Sequence, residues 1–460
     1  MRSLAFAAPF AMLSATAQAA VTISNGATDN IICSGGVCAP TAKSAVLNAG
    51  DLETLLASGS VTVTTTGSGV QASDLAVKAA LTWSASTTLT LDAHRSLVLD
   101  RSISVAGTGG LALLISKDGS YAFGRGGKVT FASLSGSLSI DGTGYTLENT
   151  ISSLAAAIAA NPSGDFALAA DYDASQDGTY TTVPIPTTFT GTFEGLGNAI
   201  SNLTIDDTND EFVGLFYEIG AGATVRDLAL AHANVAAAGD ALGILAGVNE
   251  GTVVDAMATG AASNGKGQAG GLIGANVTGI IADSRANVVV SGTGCGGGLV
   301  GTNGATISES YASGNVSSSI EAGGLTCDNN GGAVENSYST GAALGGRKGS
   351  AGGFEGGNEG TTSASFSTGE IAHVRRGDHG GFVGYDLDSG DIKDCYWDTD
   401  KSGFTNLHRG AGNRKDDPGI EGLTTQQLQS GLPTGFDPTI WGENADINGG
   451  LPYLLANPPS

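Results

Sequence analysis

Gly297-Gly298-Leu299-Val300-Gly301-Thr302-Asn303-Gly304, then Thr306-Ile307, then Ser310-Tyr311-Ala312-Ser313-Gly314: this phrase decides the fold, because the chain writes it seven times. Aligned on the apolar residue that follows the paired glycines, the copies fall at Phe216, Leu245, Leu272, Leu299, Leu325, Phe354 and Phe382, in steps of 29, 27, 27, 26, 29 and 28 residues. A fixed period of this size marks a solenoid or array. Each copy holds short alternating or β-branched apolar runs cut by Gly, Asn and Ser, and none is long or glycine-free enough for a ten-residue helix. The expected fold is therefore all-β: a right-handed parallel β-helix with one short packed helix and a C-terminal cap. Coils stacked at about 4.8 Å would make seven of them a rod roughly 34 Å long.

Register gives the columns. Four residues after the anchor come Asn249, Asn276, Asn303, Asn329, Asn358 and then Asp386, with Gly220 in the first copy. Stacked, these side chains form an amide ladder between coils. Alternatively each Asn serves its own turn, since it tolerates the left-handed conformation and bonds its own backbone. Val225, Val253, Ile281, Ile307 and Val334 read as inward packing. Two positions before the Asn column stand Gly247, Gly274, Gly301, Gly356 and Gly384, with Cys327 as the exception, and glycine there implies a bend or a close backbone approach. Tyr311, Tyr338, Phe366 and Tyr396 form an aromatic column, a candidate binding platform for sugar rings if exposed and core packing if not.

The phrase Gly-Gly-Leu-Val-Gly-x-Asn-Gly-x-x-Ile-x-x-Ser-Tyr-Ala-x-Gly resembles the GLUG repeat of large bacterial surface proteins, common in the filamentous haemagglutinin family of adhesins. The flanks resemble that family too: Thr190 to Ile205 before the repeats, then Tyr396 to Gly403 and Gly422 to Leu428 after them. The resemblance covers roughly residues 50 to 455 and carries no catalytic motif. It implies a secreted or surface-exposed adhesin-like binding protein. Its partners would be host or bacterial surface glycans or proteins, and export would use an outer-membrane secretion partner. Two departures stand out: the chain is short for that family, and neither a translocator barrel nor a complete two-partner secretion domain is identifiable.

The remaining segments follow in order. Residues 1–19 read as a signal peptide, with Arg2, an apolar run from Leu4 to Ala15, and Ala17-Gln18-Ala19 as the cleavage site. No later stretch is apolar enough for a transmembrane helix. Residues 20–148 form a β-rich region of haemagglutinin-like coils with strands at Val61–Thr64, Leu89–Ala93, Ser96–Leu99, Ile103–Val105 and Leu111–Ile115. Residues 149–162 read as a connecting helix, capped by Asn149 and ended by Asn161-Pro162. The GLUG-repeat β-helix spans 163–403, and 404–460 form a capping segment over the last coil's open end, with a short helix near Thr424 to Gln429.

Charge and chemistry narrow the function. Forty-four acidic against 20 basic residues, a net charge of −24, exclude nucleic acid as a partner. Cys33 and Cys38, flanking a four-residue turn, are expected to form a disulfide after export. Cys295 and Cys327 lie in different columns, about 20 Å apart along an unbent strand, and are expected to be free. Cys395 shares the column of Ser284, Ser310, Ser337 and Ser365, read as buried fillers. The sequence holds no His-Glu-x-x-His, nucleophile elbow or phosphate loop, and its five histidines show no metal-ligand spacing, so neither metal nor cofactor is expected. Acidic pairs Asp386/Asp388 and Asp398/Asp400 are the candidates for polysaccharide hydrolysis or lysis, which needs two carboxyls. The reading is an adhesin-like binder and not an enzyme. The alternatives are that polysaccharide-active enzyme or a passive matrix spacer.

Overall fold

The computed structural model describes residues 20–459, apart from 117, 347, 372–376, 388–389 and 405. The expected signal peptide lies outside the described residues. No helix among them is long and apolar enough to cross a membrane. The chain divides into two compact units. The first takes in the chain up to Thr150 with Asp165–Tyr172 and Phe193–Ala199; the second takes in Ile151–Gly164, Asp173–Thr192 and Ile200 onward.

In the first unit, alternating Leu and Val put one face of each short strand inward. Parallel neighbours then stack like on like: Leu89 on Leu111, Leu91 on Leu113, Leu75 on Leu97 and Val77 on Leu99. All eight side chains are buried, and each contributes roughly 1.5–3 kcal/mol by leaving water. Helix α1, Ala49–Leu56, buries Leu52 and Leu56, and the Asn48 side chain caps it by accepting from the Gly50 and Asp51 N–H groups. Trp83 is buried, with its indole N–H donating to the Thr87 carbonyl at 3.0 Å.

In the second unit, each repeat closes one coil with four strands. For the copy quoted above they are Cys295–Gly297, Val300–Asn303, Thr306–Ser308 and Tyr311–Ala312, the last resuming as Val316–Ser318 after a break. The first two kinds of strand each build a seven-stranded parallel sheet through the array. The fold is thus the expected all-β parallel β-helix. The anchor residues Phe216 to Phe382 all point inward and are at most 1% exposed. Phe354 and Phe382 stack with ring centres 4.7 Å apart. Helix α2, Ile151–Ala160, belongs to this unit and buries Ile151, Leu154 and Ile158. Its Ala-rich sequence sustains it.

The C-terminal segment does two things. Ile420–Leu423 pairs in parallel with Cys395–Asp398 and so extends the stack by one strand. Beyond helix α3, Thr425–Leu428, the chain runs back along the flank of earlier coils. Tyr396 donates to the Thr434 carbonyl, Trp441 donates to Asn336, and Asn457 donates to the Ser284 carbonyl at 3.2 Å. The segment is therefore a lateral cover as well as an end cover.

Candidate functional site

The amide column forms a continuous ladder. Each Nδ2 donates to the next coil's Oδ1: Asn249 to Asn276 at 2.8 Å, Asn276 to Asn303 at 2.8 Å, Asn303 to Asn329 at 2.9 Å, Asn329 to Asn358 at 3.1 Å and Asn358 to Asp386 at 2.9 Å. The turn reading holds as well, since Asn249 Oδ1 accepts the Gly251 N–H and Asn358 Oδ1 accepts the Gly360 N–H. Asp386 accepts and cannot donate. It ends the ladder and pairs its other oxygen with Arg414 at 3.0 Å.

The serine column is a second ladder, not filler. Ser310 Oγ accepts the Ser284 N–H of the preceding coil and donates to the Ser308 carbonyl; Ser337 repeats this one coil on. The residue before each serine carries a positive φ: Asp283, Glu309, Asn336 and Ala364. The serine thus satisfies a backbone left unpaired by a tight corner.

Burial decides the fate of the aromatic column. Tyr311, Tyr338, Phe366 and Tyr396 are at most 5% exposed. Tyr311 stacks on Tyr338 at 4.6 Å and Tyr338 on Phe366 at 5.1 Å, while Phe436 and Trp441 of the C-terminal segment pack over them. The column is core, and its reading as a sugar-binding platform is withdrawn. Sequence spacing shows the stack but not the cover, which comes from more than 100 residues away.

Two disulfides are present. Cys33 and Cys38 face each other across an antiparallel hairpin and are joined. Cys295 and Cys327 are also joined, with Cα atoms 5.7 Å apart, so the expectation of free thiols is corrected. The 20 Å reckoning assumed an unbent strand, whereas the chain turns a corner between two sheets at each Gly-Gly-Leu. That corner brings the glycine column against the side chains across the arch. A Cβ on Gly356 would lie 2.6 Å from Glu321 Cγ, and Cys327, the exception in this column, fills the same contact with a bond to Cys295. Cys395 is free and buried.

The described members of the candidate catalytic pairs, Asp386, Asp398 and Asp400, are each engaged by neighbouring groups. Asp388 lies outside the described residues, and Asp386 is spent on the ladder. Asp398 Oδ1 accepts the Asp400 and Lys401 N–H groups while Oδ2 accepts from Thr425. Asp400 accepts the Thr425 N–H. A different group stands on the outer side of the array: burial lifts Glu321 to about 7 and Asp328 to about 6, each pushed further by neighbouring carboxylates. Such carboxyls exchange protons near neutrality. Inside the stack, burial lifts Glu355 to about 8 although Thr362 donates to it at 2.8 Å. A shallow concavity lined by Gln429, Glu443, Asn444 and Gly450 gathers none of these groups.

Residues 145–260 match the family profile described as the M26 IgA1-specific metallo-endopeptidase N-terminal region, over about a quarter of the chain. Halomucin of Haloquadratum walsbyi is 41% identical over 97 residues, which are 21% of this chain and 1% of halomucin, so the chain spans a very small part of that relative. The crystal structure of a candidate immunoglobulin A1 protease from Bacteroides ovatus is similar with a TM-score of 0.42 and 19% identity, over 63% of this chain and 85% of that one. The family match overturns the reading of the chain as not an enzyme, because it ties residues 145–260 to a proteolytic family.

That family implies a metal. Among the described residues one group of three side chains of metal-ligating type comes together: Cys295, Glu321 and Cys327. Its two sulfurs are bonded to each other and it includes no histidine. It does not fit a peptidase zinc, which wants three protein ligands with free lone pairs and an open fourth position.

Proposed function

We propose that this chain is an exported, surface-directed β-helix that engages protein substrates for a metallo-endopeptidase activity of the M26 type, the solenoid supplying the recognition surface. The observation that carries this reading is the overlap of the family match with the head of the repeat array. Residues 145–260 include the strand Ala229–Ala237 and the start of Met257–Asn264, two of the longest in the chain, and Arg285–Gly292 lies beside them. Asn234, Ser263, Asn287 and Val289 point outward there and are exposed. Farther along the array the column of Ser263 continues through Ser317 and Leu344, which are exposed as well, while the C-terminal segment covers the neighbouring aromatic column. The open part is a face of small and polar side chains on strands of the parallel stack, so binding an extended polypeptide or its glycans freezes few rotamers. The GLUG-like phrasing supports the same surface-directed role.

The test uses immunoglobulin A1 and a panel of other secreted glycoproteins. Expected is retention of at least one of them by this chain. Val289→Glu and Asn287→Arg should weaken retention about tenfold, as losing a central contact does. A panel in which no protein is retained overturns the proposal.

A further inference from the structure

Asp207 ends the strand Thr204–Asp207 with its side chain fully buried. Parallel register stacks Asp207, Ala237 and Asn264 on successive coils. Asp207 and Asn264 make the same loop. Asn264 Oδ1 accepts the N–H groups of Lys266 at 3.0 Å and Gly267 at 3.2 Å; Asp207 Oδ1 accepts those of Asn209 at 2.8 Å and Asp210 at 3.1 Å. The difference lies in the second side-chain atom. Asn264 carries an amide there, which donates to the carbonyls of Gly239 at 3.1 Å and Gln268 at 2.9 Å. Asp207 carries an oxygen, and that Oδ2 is shut from water without a hydrogen-bond partner.

Beside it stands the Asp210 carboxyl. Its contact with Asp207 is the main cause that raises it, opposed by the Val183 N–H donating to Asp210 Oδ2 at 3.1 Å. Two acceptors facing each other with no donor between them are unfavourable unless positive charge fills the gap. Lys266, in the loop above, is already paired with Asp240. Asp398 shows that the loop alone is not sufficient: it binds the same two following N–H groups, but its Oδ2 is filled by the Thr425 hydroxyl at 2.6 Å.

We propose that Asp207 Oδ2 and the Asp210 carboxyl bind a hard divalent cation, calcium, at the head of the repeat array. Calcium takes six to eight oxygens in flexible geometry, and two carboxylates completed by carbonyls and water place the site in the weak extracellular class, with Kd about 0.1–1 mM.

The experiment is calcium titration of the purified protein by calorimetry, followed in parallel by terbium emission. Tyr217 is the expected antenna, because its hydroxyl, raised mainly by burial, also feels Glu211 and Asp210. Expected is one saturable site that raises the melting temperature. Asp207→Asn supplies the amide that Asn264 has, and should fold without metal while binding calcium at least ~tenfold more weakly, as loss of a charged ligand requires. Tyr217→Phe should lose terbium emission and keep the calcium-induced stabilisation. Asp118→Asn, which removes the same charge from an exposed turn, should leave the affinity unchanged. A wild-type protein that shows no saturable calcium heat overturns the proposal and assigns the pair a shared proton. So does an Asp207→Asn protein that binds as the wild type does.

Discussion

The two units solve one stacking problem with different materials. In the first, coils are held apart and together by branched aliphatic side chains in register, Leu89 on Leu111 and Leu91 on Leu113. In the second, glycine at the corners brings backbone against backbone, leaving less apolar bulk per coil. Polar ladders take up the difference: the amides from Asn249 to Asn358 and the serines from Ser284 to Ser365. The carboxyls that burial raises, among them Asp283, Glu309, Glu321 and Glu355, also lie in the second unit. A core of leucine is indifferent to pH and needs no partner for any side chain. A core of ladders is specific in register but depends on every member being paired.

The largest test of that contrast is pH. Glu355 is neutral in the folded chain, with its pKa about 8 against an ordinary 4.5. The folded state therefore holds a proton that the unfolded chain releases. Its contribution to stability is complete below about pH 4.5, falls between 4.5 and 8, and is lost above. From pH 5 to pH 9 the second unit should lose on the order of 4 kcal/mol through this residue. Hydrogen exchange would read each unit separately, with the first as internal reference. Glu355→Gln should flatten the slope, and an unchanged slope would remove Glu355 from the account.

Next in size is Asn303→Ala, which strands the Asn276 amide and the Asn329 carbonyl oxygen inside the stack. We expect a loss of about 3 kcal/mol, comparable with Leu91→Ala in the first unit. A cost under about 1 kcal/mol, within the range of one ordinary hydrogen bond, would mean that the ladder sets register without supporting stability, and the comparison would fail.

The smallest effect separates the two disulfides. Cys295–Cys327 closes a separation of 32 residues, and Cys33–Cys38 one of 5. Loop entropy then makes the paired serine substitution at Cys295 and Cys327 the costlier by about 1–2 kcal/mol. Equal melting shifts for the two double variants would show that the inter-coil bond acts through native packing instead.

What could be read from the chain beforehand follows from the range of the interactions. Stacking repeats with the period, so the anchors, the amide column and the strands at Val61–Thr64 and Ser96–Leu99 show in the sequence alone. The Cys33–Cys38 pairing needs only a hairpin. The Cys295–Cys327 bond was missed because it depends on a corner angle that spacing does not encode. One trace of it was visible: Cys327 breaks a column of glycines. The cover over Tyr311 and Tyr338 was missed because Trp441 and Phe436 lie outside the repeat and obey no period. The serines were misread because a small residue at a corner looks like filler until its backbone donor is seen. Asp207 stood out from Asn264 only once register had placed the two on the same column.

The amide ladder has a direction. Every donor faces the C-terminal neighbour, and Asp386 receives without passing anything on. The array is thus a sentence with a full stop. A whole repeat carrying its own asparagine could be spliced in between Asn303 and Asn329 and would find both a giver and a taker. The same repeat placed after Asp386 would find no donor. Length in this molecule is an editable quantity upstream of one residue and a fixed one downstream of it.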